Sequence, residues 1–397
     1  MVTRVKVENL IPVRDKMLVF GAPVLETEEI DEVLASLRAG WIGTGPKVAR
    51  FENDFASYKN LEKNHVAAVG SCTAALHLSL ITAGLQPGDE VITTPMTFCA
   101  TVNAIIHCGA TPILADINRN TMNIDPAEIE SKITSRTKAI LPVHFAGRPC
   151  DMGQIVAIAN KHGLKIIEDC AHAIETEYQG QKAGTFGDFG CFSFYVTKNL
   201  ATGEGGMVVA KDEGDIAKIK RLALHGMSQD AWGRYSDKGF KHYSVVECGF
   251  KYNMMDLQAA LGIHQLARIE KNWIKRKQVW DQYQLAFSSL PVIRPAEIQT
   301  DTRHAHHLYT LQIDEDKAGI SRDAFLEGMT KQRIGVGVHY LSICEHPYYQ
   351  ERFGWQPEDC PEAMSVGRKT VSLPISPGLA VSDVGDVIKA VNVLVGV

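Results

Sequence analysis

From residue 65 to residue 210 the chain repeats one pattern: a short apolar run, a polar or glycine-containing turn, then a stretch with helical spacing. The runs His65–Val69, Glu90–Thr93, Thr111–Ala115, Lys138–Val143 and Lys165–Ile167 predict strands. Helices are expected from the turn Gly70–Thr73 to about Ala83, over Phe98–His107 and over Met152–Lys161. Phe189–Val196 is apolar and aromatic without alternation, which predicts a strand buried on both faces, and Met207–Ala210 predicts one more. Strands alternating with helices imply βαβ units. The expected class is α/β, with a mostly parallel sheet covered by helices on both faces.

Outside this region the pattern changes. Residues 1–20 read as an arm preceding the first helix. In Glu26–Ala39 the positions Ile30, Val33, Leu34 and Leu37 follow helical spacing, and Gly40 ends the helix. A glycine-punctuated loop from Trp41 to Pro46 leads to a helix over Val48–Tyr58. Asp256–Phe287 contains almost no Gly or Pro and predicts one long helix. After Pro291 come mixed elements, including Leu308–Ile313, Arg322–Met329 and Val384–Val395. Two lobes are expected: residues 1–250, large and carrying the arm, and residues 251–397, a smaller α+β lobe.

Composition narrows the choice by exclusion. A chain of 397 residues with net charge −5 has no electrostatic footprint for nucleic acid. No apolar run reaches the ~18–20 residues that span a bilayer, and no basic N-terminal segment followed by an apolar core suggests a signal peptide. The nine cysteines are scattered without a Cys-x-x-Cys pair, which favours reduced thiols and a cytoplasmic location.

In a doubly wound sheet, ligands sit beyond the carboxyl ends of the strands, and four stretches fall there. Gly70-Ser71-Cys72-Thr73 opens a helix, as a phosphate site does and as an ordinary N-cap does. Phe98 follows the next strand, where it either stacks on a flat ligand or packs in the core. Asp169 ends the strand at Lys165–Ile167, and either partners a protonated pyridine nitrogen or caps a turn. Lys198 lies between the aromatic run and Gly203-Glu204-Gly205-Gly206. Loss of hydration there lowers its pKa and makes the amine nucleophilic, although most lysines are solvated surface residues. The glycines permit close backbone approach to a bound group. A phosphate cradle, a stacking aromatic, an acid and an amine in one crevice are what pyridoxal 5'-phosphate requires.

At this point the chain resembles the nucleotide-sugar aminotransferases of the DegT/StrS family, which have the aspartate aminotransferase fold (fold type I). The most specific motif is Ser193-Phe194-x-x-x-Lys198 followed by Thr202-Gly203-Glu204-Gly205-Gly206. Looser matches are Gly40–Pro46, Pro142–Gly147, Glu168-Asp169-Cys170-Ala171-His172, Gly249–Met254 and Leu373-Pro374. The resemblance implies that Lys198 is the Schiff-base lysine, Asp169 the partner of the pyridine nitrogen and Phe98 the residue on the ring face. It implies phosphate contacts from Cys72, Thr73 and Ser193, and places His172 near the ring hydroxyl. Asn253 lies in a segment that, in the family, reaches the phosphate of the other subunit. The family often has Asn at the position of Lys251 and Arg at that of Asn253, so the contact stays open between these two. Tyr195 replaces a histidine common in the family, and a lysine at 198 disfavours the related sugar dehydratases.

What the resemblance implies for activity is transfer of an amino group from glutamate or glutamine to a nucleotide-linked 4-keto-6-deoxy sugar. The setting it implies is polysaccharide biosynthesis, by a homodimer with shared sites. A 3-keto sugar or cyclitol acceptor is the nearest alternative, and a non-catalytic regulatory protein on the same scaffold is another. No metal is expected: Arg303-His304-Ala305-His306-His307 lacks acidic or thiol partners at ligand spacing. Gly335–Tyr340 lacks the strand–turn–helix context of a dinucleotide fingerprint, and the resemblance puts it, with His339, beside the sugar-nucleotide site.

Overall fold

The computed structural model describes residues 10–228 and 243–396. The apolar runs form a seven-stranded sheet in the order Val66–Val69, Gly206–Ala210, Phe189–Ser193, Lys165–Asp169, Thr137–Leu141, Glu90–Thr93 and Thr111–Leu114. From Phe189–Ser193 to Thr111–Leu114 every pairing is parallel. Gly206–Ala210 runs against the rest, and its two antiparallel pairings return Val66–Val69 to the common direction. Alternate residues of each strand serve opposite faces. Ala67 and Val69 pack with the helices Cys72–Thr82 and Glu213–Leu222, whereas Val66 and Ala68 pack with Pro46–Tyr58 and Asp256–Ala267. Both faces are therefore apolar, which is why these strands show continuous rather than alternating hydrophobicity.

The strand expected over Phe189–Val196 stops at Ser193. Beyond it the backbone of Phe194 takes partners from the glycine turn, with its N–H on the Gly205 carbonyl and its C=O accepting from Thr202. Lys198 thus lies in a turn past the strand end. The long helix expected over Asp256–Phe287 is two, Asp256–Ala267 and Ile269–Ala286. The break falls at Arg268, whose guanidinium pairs with Glu29 of the first helix and with Glu26, its N-cap. Each half serves a different core. Ala259, Ile263, Leu266 and Ile269 join Phe51 and Phe55 under the large sheet, while Val279, Trp280, Tyr283 and Phe287 join the core of the second lobe. Residues 251–269, expected in the second lobe, pack with the first.

That second core is closed by the antiparallel strands Tyr309–Gln312 and Thr370–Leu373 and by the helices Arg322–Lys331 and Val381–Val395. The arm packs here too. Leu18 is buried in this core, exchanges backbone hydrogen bonds with Arg333 and Gly335, and Arg14 pairs with Asp383 and Asp386. Residues 1–9 of the expected arm lie outside the described residues; from Leu10 to Leu18 the arm packs with the second lobe, and Phe20 packs against a cluster that includes Met96 and Phe145 of the first.

The first helix, Thr27–Ala39, presents its polar side to the chain. Glu29 and Ser36 are buried, while Ile30, Leu34 and Leu37 are 54%, 38% and 52% exposed. Glu29 is held by Arg268, Gln265 and the backbone of Glu26, so a polar network fixes which face turns inward.

Candidate active site

The common direction of the strands brings Ser71, Phe98, Asp169 and Ser193 to one edge of the sheet. They surround an open cavity of about 550 Å³, within the usual size range of small-molecule sites. Its wall includes Cys72, Thr73, Phe98, Asp169, His172, Ser193 and Lys198, and of the expected site residues only Asn253 lies outside it.

The cradle comes from the helix Cys72–Thr82. Ser71 is its N-cap, with Oγ accepting the Ala74 N–H at 3.1 Å. The N–H groups of Cys72 and Thr73, in the first turn, are left without an intrahelical acceptor, as helix geometry dictates, and such groups are suited to an anion. Gly206 is what allows this turn to sit against the sheet. A Cβ there would lie 2.5 Å from the Ser71 carbonyl carbon and 2.7 Å from the Cys72 nitrogen. The close approach expected of this glycine is thus to the cradle's own backbone.

Asp169 ends its strand with both carboxylate oxygens engaged. Oδ1 accepts from the Ala171 N–H at 3.0 Å and Oδ2 from the Thr101 hydroxyl at 2.8 Å. Thr97 supports Thr101 at 2.7 Å. Burial raises the carboxyl pKa, and the donors from Ala171 and Thr101 together with Lys198 pull the other way. A cation bound beside it would favour the carboxylate further.

Lys198 has its pKa pushed down to about 8 by burial, with Cys72 and Asp169 opposing. Its side chain lines the cavity, and among the described residues no hydrogen-bond partner holds the amine. Phe98 is 58% exposed at the cavity mouth, which a core phenylalanine would not be. Ser193 lines the wall with Oγ 3.4 Å from the Tyr195 N–H.

Several further residues enter the site through contacts that the sequence does not show. Thr101 and Thr97 lie four residues apart across a helix start, and only the fold brings them to Asp169. Tyr340 reaches His172 from the second lobe at 3.1 Å. His307 lies 4.5 Å from His172, ring to ring, and bonds Asn199 at 2.9 Å. Asn199 in turn donates to Glu175, which pairs with the buried Arg276. His304 and His306 pack on Trp280. Among the described residues the one grouping with metal-ligand chemistry is His144, Glu168 and Cys170. It is already occupied by hydrogen bonds: Glu168 accepts from His144 Nε2 and from the N–H groups of Gly184, Phe186 and Gly187.

Asn253 donates to Thr44 Oγ1 at 2.6 Å, and Lys251 is exposed. The backbone between them touches the cradle, since the Gly70 N–H donates to the Tyr252 carbonyl.

Residues 23–392 match the model of the DegT/DnrJ/EryC1/StrS aminotransferase family. The chain belongs to this family. It is 48% identical over 387 residues to the spore coat polysaccharide biosynthesis protein SpsC of Bacillus subtilis, covering 97% of this chain and 99% of that protein. Among solved structures it superposes on the putative sugar aminotransferase Spr1654 of Streptococcus pneumoniae in its PMP-form with a TM-score of 0.88, at 31% identity, over 96% and 98% of the two chains. Helicobacter pylori PseC, an aminotransferase involved in the biosynthesis of pseudoaminic acid, gives 0.87 at 29% identity over 95% and 98%. The chain is an aminotransferase of the type I fold, and pyridoxal phosphate is its cofactor. The donor set fits that group: first-turn N–H groups for a phosphate, a carboxylate for a ring nitrogen, and in the same wall an amine without a hydrogen-bond partner among the described residues.

Proposed function

We propose that this sugar aminotransferase moves an amino group from glutamate or glutamine to a nucleotide-linked 4-keto-6-deoxy sugar, as a cytoplasmic homodimer with shared sites. The observation that carries the reading is the placement of Lys198 and Asp169 in the wall of one cavity, whose open side leaves room for a large acceptor. The relatives named for spore coat polysaccharide and pseudoaminic acid biosynthesis support a sugar acceptor. No helix among the described residues is long and apolar enough to cross a membrane.

The bound cofactor supplies an aldehyde that takes up the amino group and a ring that accepts electrons from the substrate carbon. Asp169 holds the ring nitrogen in its protonated form. Cys72, Thr73 and Ser193 anchor the phosphate, and Phe98 covers one ring face. Lys198, its pKa pushed down to about 8, would take the proton from the substrate carbon and deliver it to the cofactor's aldehyde carbon. His172 and His339 contribute no charge: burial holds His172 well below the usual histidine value and pushes His339 down to about 4. A panel of UDP-, dTDP- and GDP-linked keto sugars with glutamate as donor, read by mass spectrometry, tests the acceptor. Amination of a 3-keto sugar or a cyclitol, and of no 4-keto sugar, would overturn it.

Two features favour the dimer. The apolar stripe Ile30, Leu34, Leu37 continues into Trp41 and Ile42, which are 55% and 50% exposed. Among the described residues lining the cavity, Lys198 is the one cationic side chain, although a phosphate near neutral pH carries close to two negative charges. Lys251 or Asn253 of a second subunit would supply the missing contact. Lys198→Ala subunits mixed with subunits changed at both Lys251 and Asn253 should regain about one quarter of wild-type activity, since half the dimers would be hybrids with one intact site. Dead hybrids after demonstrated exchange would exclude shared sites.

A further inference from the structure

One hydroxyl in the cavity has its proton direction set by its neighbours. A neutral imidazole has one N–H and one acceptor nitrogen. The Ala146 backbone N–H donates to His172 Nδ1 at 3.2 Å, so Nδ1 is the acceptor and the ring proton sits on Nε2. Burial, with Lys198, His307 and His339 close by, keeps this ring neutral. Nε2 lies 3.1 Å from Tyr340 Oη, so the contact runs from imidazole to phenol. Tyr340 then keeps its own O–H proton for another acceptor. None is found for it among the described residues, and the side chain lines the cavity. Burial raises the phenol's pKa far above its ordinary value, so it stays a donor.

The ring is held in place. It meets His339 edge-on at 4.9 Å, Phe145 edge-on at 6.2 Å and Phe98 at 6.1 Å, and lies within 17° of parallel to His172. Its backbone N–H contacts the Met96 sulfur at 3.5 Å.

We infer that Tyr340 donates a hydrogen bond to an electron-rich oxygen of the molecule bound beside Lys198, with His172 as the positioning residue that aims it. The inference rests on the reading of this cavity as the cofactor and acceptor site. The oxygen has two sources, the ring oxygen of pyridoxal phosphate or an oxygen of the sugar, and they separate in one experiment. Tyr340→Phe keeps the packed ring and removes the O–H. The loaded protein is titrated by its visible absorbance, and the Kd of the aminated sugar nucleotide is measured by calorimetry.

If the acceptor is the cofactor's ring oxygen, loss of a donor to its ionised form raises the absorbance midpoint by about one pH unit, a tenfold change. If it is the sugar, the titration is unchanged and Kd weakens about tenfold. A visible band with both quantities unchanged overturns the role of Tyr340 alone. No visible band in the wild-type protein defeats the cofactor reading instead. Should the Phe variant fail to fold, site-specific fluorotyrosine at 340, a stronger donor, should move the same quantity the opposite way, and no movement rejects the inference. With Tyr340 intact, His172→Gln provides the control: an amide that can still donate to Tyr340 should shift the same quantity less than His172→Phe does.

Discussion

Lys59 and Lys198 are both pushed down to about 8 by burial, yet their amines meet different surroundings. Lys59 Nζ donates to the carbonyls of Ile174 and Ala183, each at 2.9 Å, and sits 4.2 Å above the Phe192 ring. It is 2% exposed and ties the loop after His172 to the aromatic strand that leads to Lys198. Lys198 has the same electrostatic condition, but its amine is unbonded and faces a cavity with a carboxylate in its wall. The comparison separates a perturbed amine from a reactive one: a lowered pKa makes a nucleophile only where a reactant has room to arrive. Glu168 and Asp169 repeat the lesson as adjacent carboxylates. Glu168 is saturated by four donors on the side away from the cavity, and Asp169 carries fewer donors and faces it.

The comparison is broken most directly at Lys198. Lys198→Ala should abolish covalent attachment of pyridoxal phosphate and with it all measurable turnover. Borohydride reduction of the loaded wild-type protein followed by peptide mapping should place the label on Lys198. A label on Lys59 would show that closure does not protect an amine of equal pKa. The rate at which the visible band forms should rise with pH up to about 8 and then level, because the attacking amine must be neutral.

The carboxylate pair gives the next effect. Asp169→Asn keeps shape and most hydrogen bonds, and turnover should fall at least ~100-fold, as for other single charge-stabilising groups. Glu168→Gln should act on stability instead, because its amide NH₂ would oppose the N–H donors of Gly184, Phe186 or Gly187. Near-normal turnover in Asp169→Asn, or a wild-type melting profile in Glu168→Gln, would erase the distinction between the two.

Much of this was legible in the residues. The strands were visible because both faces of the sheet are covered, and the lysine turn because glycine must approach the cradle at Gly206. What stayed hidden depends on tertiary partners. The break at Arg268 has no Gly or Pro to announce it and follows from an ion pair with Glu29, 239 residues away. The amphipathic first helix was readable, but which face turns inward was not, since a polar network buries Glu29. The resemblance put the segment of Tyr340 beside the site, but the direction of its hydrogen bond comes from the tautomer of His172. A tautomer is set by a neighbour's N–H and has no trace in sequence.

The smallest expected effect sharpens the lysine comparison from the closed side. Lys59→Met keeps the length and apolar stem of the side chain, and the cofactor's visible band and the labelling of Lys198 should be unchanged. Stability should change, and with a definite pH dependence. In the unfolded chain Lys59 holds its proton up to about its ordinary value of 10.5, and in the folded chain only up to about 8. Between these values the unfolded state binds more protons, so wild-type stability gains from this group as pH rises, and below 8 the full cost of burying the charge is present. The methionine variant lacks that cost but leaves the carbonyls of Ile174 and Ala183 without their donor. Urea unfolding of both proteins at pH 7 and pH 10 should therefore show the difference shifting toward the wild type at high pH, by at most about 3 kcal/mol. Lys198 titrates over the same range in both proteins and cancels. A difference that is flat with pH would mean that Lys59 keeps an ordinary pKa despite its enclosure, and the two lysines would then differ in electrostatics as well as in access.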